Sequence, residues 1–215
     1  MPNTLPKAVK PNHIAILIIY LRVDNIASMS SIKDQILDYA QVLVQTRGYN
    51  AMSYRDLAAE IGIKTSSIHY YFPSKEDLAL ELVKRYRDAF KGALSKIDAE
   101  TTDPNLKFKR YVDLFVGTVR DGKICLCGMF ASDLVTLSDS TQSQVRKFFA
   151  ENEEWLAGLL KEGREKGKFK FEGSPRIEAE TIFSMLEGAM IAARLFNDEK
   201  RLLSAAKWVQ SVLSE

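Results

Sequence analysis

The stretch that most limits what this chain can become is SYRDLAAEIGIKTSSIHYYFPSKED, residues 53–77. Ser53 with Asp56, and Ser74 with Asp77, have the spacing in which a hydroxyl caps a helix start and a carboxylate three residues on caps in return. Leu57, Ala58 and Ile61 give the first helix one apolar face, and the small Ala58–Ala59 pair permits a close crossing. Gly62 suits the left-handed position that closes a helix, and Ile63 then plugs the corner. Ile68 and Phe72, four apart, fasten the next helix to the first. Thr65, Ser66, Ser67, His69, Tyr70 and Tyr71 are left as a short polar and aromatic surface that packing does not require. Two helices around a tight turn, the second with small hydroxyls at its start, form the arrangement of a DNA-reading helix-turn-helix.

IGIKTSSIHYYFPSKEDL is similar to the helix-turn-helix signature of the TetR family of bacterial repressors, roughly G-V-S-x-x-[ST]-[IL]-Y-x-[HY]-F-x-[SN]-K-x-x-L. The resemblance spans residues 31–78. Two positions depart from it. Lys64 stands where a capping Ser is usual, which shifts the expected cap to Thr65, and His69 replaces the first Tyr. The resemblance implies a homodimer on a palindromic operator that loses DNA affinity when a ligand binds. On this reading Thr65, Ser67 and Tyr70 contact bases or phosphates. Ser66 lies on the same surface, and Ser53, Arg55, His69, Tyr71 and Lys75 hold the DNA backbone.

Bulk charge does not supply DNA affinity here. The chain carries 30 Lys and Arg against 28 Asp and Glu, a net charge near +2, far from a non-specific DNA coater. Local placement must therefore do the work. The chain holds two histidines, His13 and His69, with no H-E-x-x-H, glycine-rich phosphate loop or G-x-S-x-G. An enzyme is not expected, nor a cofactor or a metal site. A helical interaction module that keeps the motif for packing alone remains the other reading. Two cysteines, Cys125 and Cys127, do not make a secreted disulfide framework, so a reducing cytoplasm is expected.

Scarce Gly and Pro and a recurrent helical spacing predict an all-α chain. Residues 1–30 read as a disordered or loosely docked extension, or as translation from an upstream start with Met29 as the functional one. Their apolar run, 14–21, is too short to span a bilayer. Lys7 and Lys10 precede that run as in an export signal, but no small-residue cleavage site follows. Residues 31–77 are expected to form a three-helix DNA-binding domain, and 78–215 a larger helical domain for ligand binding and dimerisation. The first helix covers 31–47 and ends at Gly48. A long connector helix covers 74–97, followed by a break with Pro104 as a helix N1 residue. Further helices are predicted over 106–120, 129–137, 140–165, 176–196 and 198–213, with Gly163 and Gly167 weakening the end of the third of these.

The last two helices are apolar on more than one face, through Ile182, Phe183, Leu186, Met190 and Ala193, with Met185 and Ile191 off that stripe, and through Leu202, Leu203, Trp208, Val209 and Leu213. Such helices need burial on nearly all sides, and a second copy over residues 176–213 would supply it. A small apolar or aromatic effector is expected among Phe115, Val119, Cys125, Met129, Phe130, Phe148, Trp155 and Met185, although the same set at helical spacing also reads as core. Cys125 and Cys127 are open to two readings: small buried side chains, or a thiolate at Cys125 lowered by the following helix N-terminus and by Lys123. Some regulators resembling this segment sense electrophiles in that way.

Overall fold

The computed structural model describes residues 31–214. The expectations for residues 1–30 therefore fall outside the described residues. Nine α-helices occur among the described residues and no strand does: α1 Ile32–Arg47, α2 Tyr54–Ile61, α3 Thr65–Tyr71, α4 Lys75–Glu100, α5 Pro104–Arg120, α6 Leu126–Ser132, α7 Asp139–Glu165, α8 Pro175–Leu195 and α9 Lys200–Val212. None of them is long and apolar enough to cross a membrane.

Local chemistry sets most of these boundaries. Ser31, Ser53, Ser74, Asp103, Ser138 and Ser174 each cap the helix that follows, accepting from its first-turn N–H groups. At Ser74 the cap is reciprocal, because Asp77 accepts the Ser74 N–H in return at 3.0 Å. Pro104 and Pro175 follow their caps directly, where a missing N–H costs nothing. Gly62 closes α2 in the left-handed region, φ 78° and ψ 30°, and its N–H and that of Ile63 both donate to Ala58 O.

Two expectations need correction. Thr65 does not cap α3: the capping position is Lys64, extended and without a side-chain bond, and Thr65 is the first helical residue. The helix expected at 129–137 starts earlier, at Leu126, and a separate 3-10 turn covers Leu134–Thr136. Asp133 stands at the C-terminal cap of that helix, and its carboxylate bonds residues just past α1. The helix expected to end near 165 does so at Glu165, with Gly167 at φ 66° just beyond, and Gly163 also has a packing role. A methyl group there would lie 2.0 Å from the Phe169 ring; the glycine lets the 168–173 connector fold Phe169 flat onto the helix, where it is buried.

One hydrophobic cluster runs without interruption from Ile36 on α1 to Leu213 beyond α9. Helix α4 is its spine. Leu78, Leu82, Tyr86, Phe90 and Leu94 fill it from beneath the DNA-reading end to the packing of α5, α7 and α8. Aromatic rings crowd the middle, with Phe90 edge-on to Phe148 at 5.2 Å and Tyr111 stacked on Trp155 at 5.2 Å.

The end of α1 is tied to the larger part of the molecule by polar contacts. Arg194, on α8, donates to Gln45 O at 3.1 Å and also to Thr46 O. Gln45 is buried and exchanges bonds with Ile124 in both directions, at 3.0 and 3.2 Å. The Asp133 carboxylate accepts from Tyr49 N, Asn50 N and Asn50 Nδ2 at 3.0, 3.3 and 2.9 Å. The Tyr49 ring rests on Phe130 at 5.3 Å.

The two glycines inside α7 provide a paired test. Gly163→Ala must displace the Phe169 ring and should lower stability by about 1–3 kcal/mol. Gly158→Ala meets nothing within 4 Å and should raise it by up to about 1 kcal/mol through helix propensity. Thermal melts of the two variants check the contrast.

Candidate DNA-reading surface and effector cavity

Helix α3 is held from below and open above. Ile68 is fully buried and Phe72 nearly so, while Thr65, Ser66, His69, Tyr70 and Tyr71 are exposed and Ser67 is half-buried. Tyr70 is 80% exposed, a large ring that the fold leaves in water. Tyr71 meets it edge-on at 5.0 Å. With Ile32, Ile63, Ser66 and Ser67, the two tyrosines border a shallow groove of about 370 Å³.

The structure brings the remaining expected DNA residues to the same end but engages several of them elsewhere. Arg55 is exposed on α2. Ser53 is occupied as a cap: its hydroxyl donates to Asp56 Oδ2 at 2.6 Å, and this bond holds the Asp56 carboxyl below its ordinary range. His69 Nδ1 lies 3.2 Å from Pro73 O, and its ring meets Tyr54 edge-on at 4.8 Å. Lys75 Nζ sits 4.3 Å over the Tyr49 ring and 3.5 Å from Asn50 O. Burial there pulls its pKa down.

Tyr54 escaped the sequence reading. Its hydroxyl lies 2.9 Å from Phe72 O and 2.5 Å from Ser74 O, so it fixes the turn that aims α3. The available signal was a large aromatic next to the cap Ser53, on a helix otherwise short of bulk.

The expected effector residues divide. Phe115, Cys125 and Phe148 meet around an internal cavity of about 10 Å³, with Tyr86, Phe90 and Glu187 also in its wall. Trp155 lines a separate open groove of about 350 Å³ between α4 and α7 and donates its indole N–H to Asp98 at 2.8 Å. Phe130 is fully buried in the joint with Tyr49. Val119, Met129 and Met185 are half-buried at the edge of the core.

Glu187 is the residue that sequence reasoning missed. It lies between Phe183 and Met190 on the buried stripe of α8, and a charge inside an apolar stripe was the signal. Its Oε2 lies 2.7 Å from where a Gly128 side chain would start, and its Oε1 has no hydrogen-bond partner. Burial lifts its pKa to about 7, with a hydrogen bond from Cys125 acting the other way.

The thiols follow the same physics. Burial, then the Glu187 charge, pushes Cys125 and Cys127 well above the ordinary thiol range. This is opposite to the lowered thiolate considered for Cys125. Desolvation outweighs the helix N-terminus, and Lys123 is engaged with Asp121 at 3.5 Å.

This architecture has close counterparts. Residues 36–82 match the family model described as bacterial regulatory proteins, tetR family. A TetR-family transcriptional regulator from Agrobacterium tumefaciens is 30% identical, with 85% of this chain and 97% of that one covered and a TM-score of 0.82. A TetR transcriptional regulator from Legionella pneumophila is 36% identical over 86% of this chain and 99% of that one, with a TM-score of 0.79. The chain belongs to the TetR family. Among curated proteins, the HTH-type transcriptional repressor DhaR of Mycobacterium sp. (strain GP1) is 24% identical over 160 residues, which is 73% of this chain and 79% of that protein. As a TetR-family member the chain is a helix-turn-helix, DNA-binding regulator of transcription, and α2 and α3 are the pair that its signature matches.

Glu187 gives stability a pH dependence. A carboxyl raised from 4.5 to about 7 on folding holds its proton more tightly in the folded state. Stability therefore falls as pH rises through that window. Glu187→Gln should melt within about 1 °C of the parent near pH 4.5 and about 3–8 °C above it near pH 8. An equal gap at both pH values would contradict the assignment.

Proposed function

We propose that the chain is a homodimeric repressor acting in the cytoplasm, which binds a palindromic operator through α3 and releases it when a small hydrophobic effector occupies the larger helical part. The observation that carries this reading is the division of α3: Ile68 and Phe72 are spent on packing, while Tyr70 and the hydroxyls of Thr65, Ser66 and Ser67 are presented outward. In the reading, residues 31–77 serve DNA and 78–215 serve effector and partner. Thr65, Ser67 and Tyr70 meet base edges or phosphates, and Arg55 and Tyr71 meet the backbone. Lys75 and Ser53 act chiefly by bracing, because their polar atoms already have partners. Release follows effector occupancy in preference to thiol modification, since burial keeps both thiols protonated.

The dimer follows from what the single chain leaves uncovered. Ile177, Ile191 and Leu195 on α8, Phe196 after it and Trp208 on α9 are all exposed apolar side chains. Together they extend over residues 176–213, the segment whose apolar faces require more cover than one chain supplies. A two-fold axis there makes a four-helix contact and sets two α3 helices about one DNA turn, roughly 34 Å, apart.

Two measurements bear on this. Fluorescence anisotropy against duplex DNA from the chain's own upstream intergenic region should show salt-sensitive binding that a scrambled duplex does not displace. Tyr70→Ala should weaken that binding by about tenfold or more with an unchanged melting temperature. Equal affinity for both duplexes, or none at low salt, would favour an interaction module. In sedimentation or light scattering, Ile191→Glu with Leu195→Glu should convert a dimer to a monomer; a parent that is already monomeric removes the two-fold arrangement.

A further inference from the structure

Glu187 takes a hydrogen bond from Cys125, but its Oε1 has no partner. Its carboxylate lies inside the aromatic centre, and no salt bridge reaches it among the described residues. The titratable groups that feel its charge are thiols and phenols: Cys125 and Cys127 at α6, Tyr86 on α4 and Tyr111 on α5. None of these is a cation. A carboxylate so placed either holds its proton or waits for a positive group.

A small space lies beside it. The cavity that Glu187 borders, about 10 Å³, admits a head group the size of one water molecule. Phe90 and Phe148 form part of its wall, and both also line the open groove of about 350 Å³ outside. They stand edge to face at 5.2 Å, and the two rings border both the groove and the cavity. The groove is apolar in its depth, with Leu94 and Trp155. At its rim the Arg87 charge is answered by Glu151 at 3.3 Å. The wall residues Tyr86, Phe90, Phe115 and Phe148 supply aromatic surface, and a cation is attracted to the face of such a ring.

We propose that Glu187 is the anchor for the ammonium group of an amine effector, whose apolar or aromatic body lies past Phe90 and Phe148 in the α4–α7 groove. This rests on the reading of the larger helical part as an effector domain and narrows the effector from a hydrophobic molecule to a lipophilic amine. The placement also gives the ligand leverage. Glu187 is about two turns before Arg194 on α8, and Arg194 holds the last carbonyls of α1. Gly128, against the same carboxylate, is on α6, whose end at Asp133 holds Tyr49 and Asn50. An ammonium drawing on Glu187 thus acts on both elements that grip the DNA-reading end.

The test uses the full chain carrying Trp208→Phe, which leaves Trp155 as the sole reporter of the two tryptophans. Without DNA, its emission is titrated with 4-phenylbutylamine, 4-phenylbutanol and 4-phenylbutyrate. The amine should bind at least about tenfold more tightly than the alcohol, with the carboxylate weakest. Glu187→Gln, which keeps the shape and is expected to fold at least as well, should abolish the preference. Equal binding of amine and alcohol, a preference that survives in Glu187→Gln, or no saturable change with the amine to millimolar concentration each overturns the proposal. Since no DNA is present, failure of operator binding in the anisotropy experiment would sink the repressor reading without altering this result.

Discussion

Burying the end of a helix leaves backbone carbonyls that must find donors, and the joint between the two ends of this molecule is built on that requirement. The last turn of α1 is packed against the larger helical part, which leaves Gln45 buried and Thr46 half-buried. Arg194 supplies both bonds, and its charge lies at the negative end of the helix dipole. Asp133 does the complementary work for the N–H groups just past the helix end. With these contacts in place, α1 has one orientation relative to α8 and α6. The position of α3 follows, since α3 is packed on α1 and α2 through Ile68 and Phe72.

The sequence showed clearly what local rules decide. Caps at Ser53 and Ser74, the left-handed Gly62 and the anchors Ile68 and Phe72 each depend on neighbours within a few residues, and the helix-turn-helix was therefore legible down to its outward-facing side chains. The elements that eluded it depend on distant partners. Arg194 and Gln45 are separated by 149 positions, and nothing in the neighbourhood of either announces the bond. The packing role of Gly163 was invisible for the same reason: only the folded chain places Phe169 on it. For Cys125 the local rule, a helix N-terminus lowering a thiol, was sound but smaller than the desolvation that only the packed structure reveals.

The effector region was legible as a set of aromatic positions but not as a site. Spacing could say that Phe115 and Phe148 face inward. It could not say that Phe130 belongs to the joint, or that Trp155 hangs in the outer groove. The residue that organises the interior, Glu187, was passed over because the reading looked for apolar stripes and treated the one charge within a stripe as noise. Buried charge is costly, so an acidic residue retained at such a position carries more information than its apolar neighbours.

The unbroken cluster from Ile36 to Leu213 has a consequence for how the molecule comes apart. Leu78, Leu82 and Tyr86 belong at once to the floor of the DNA-reading helices and to the spine of the larger part. A cut through α4 would strip apolar surface from both sides of the break, and neither fragment would keep a closed interior. The segment that matches the family signature thus shares its interior with the larger part, and cooperative melting of the two together is the expected outcome.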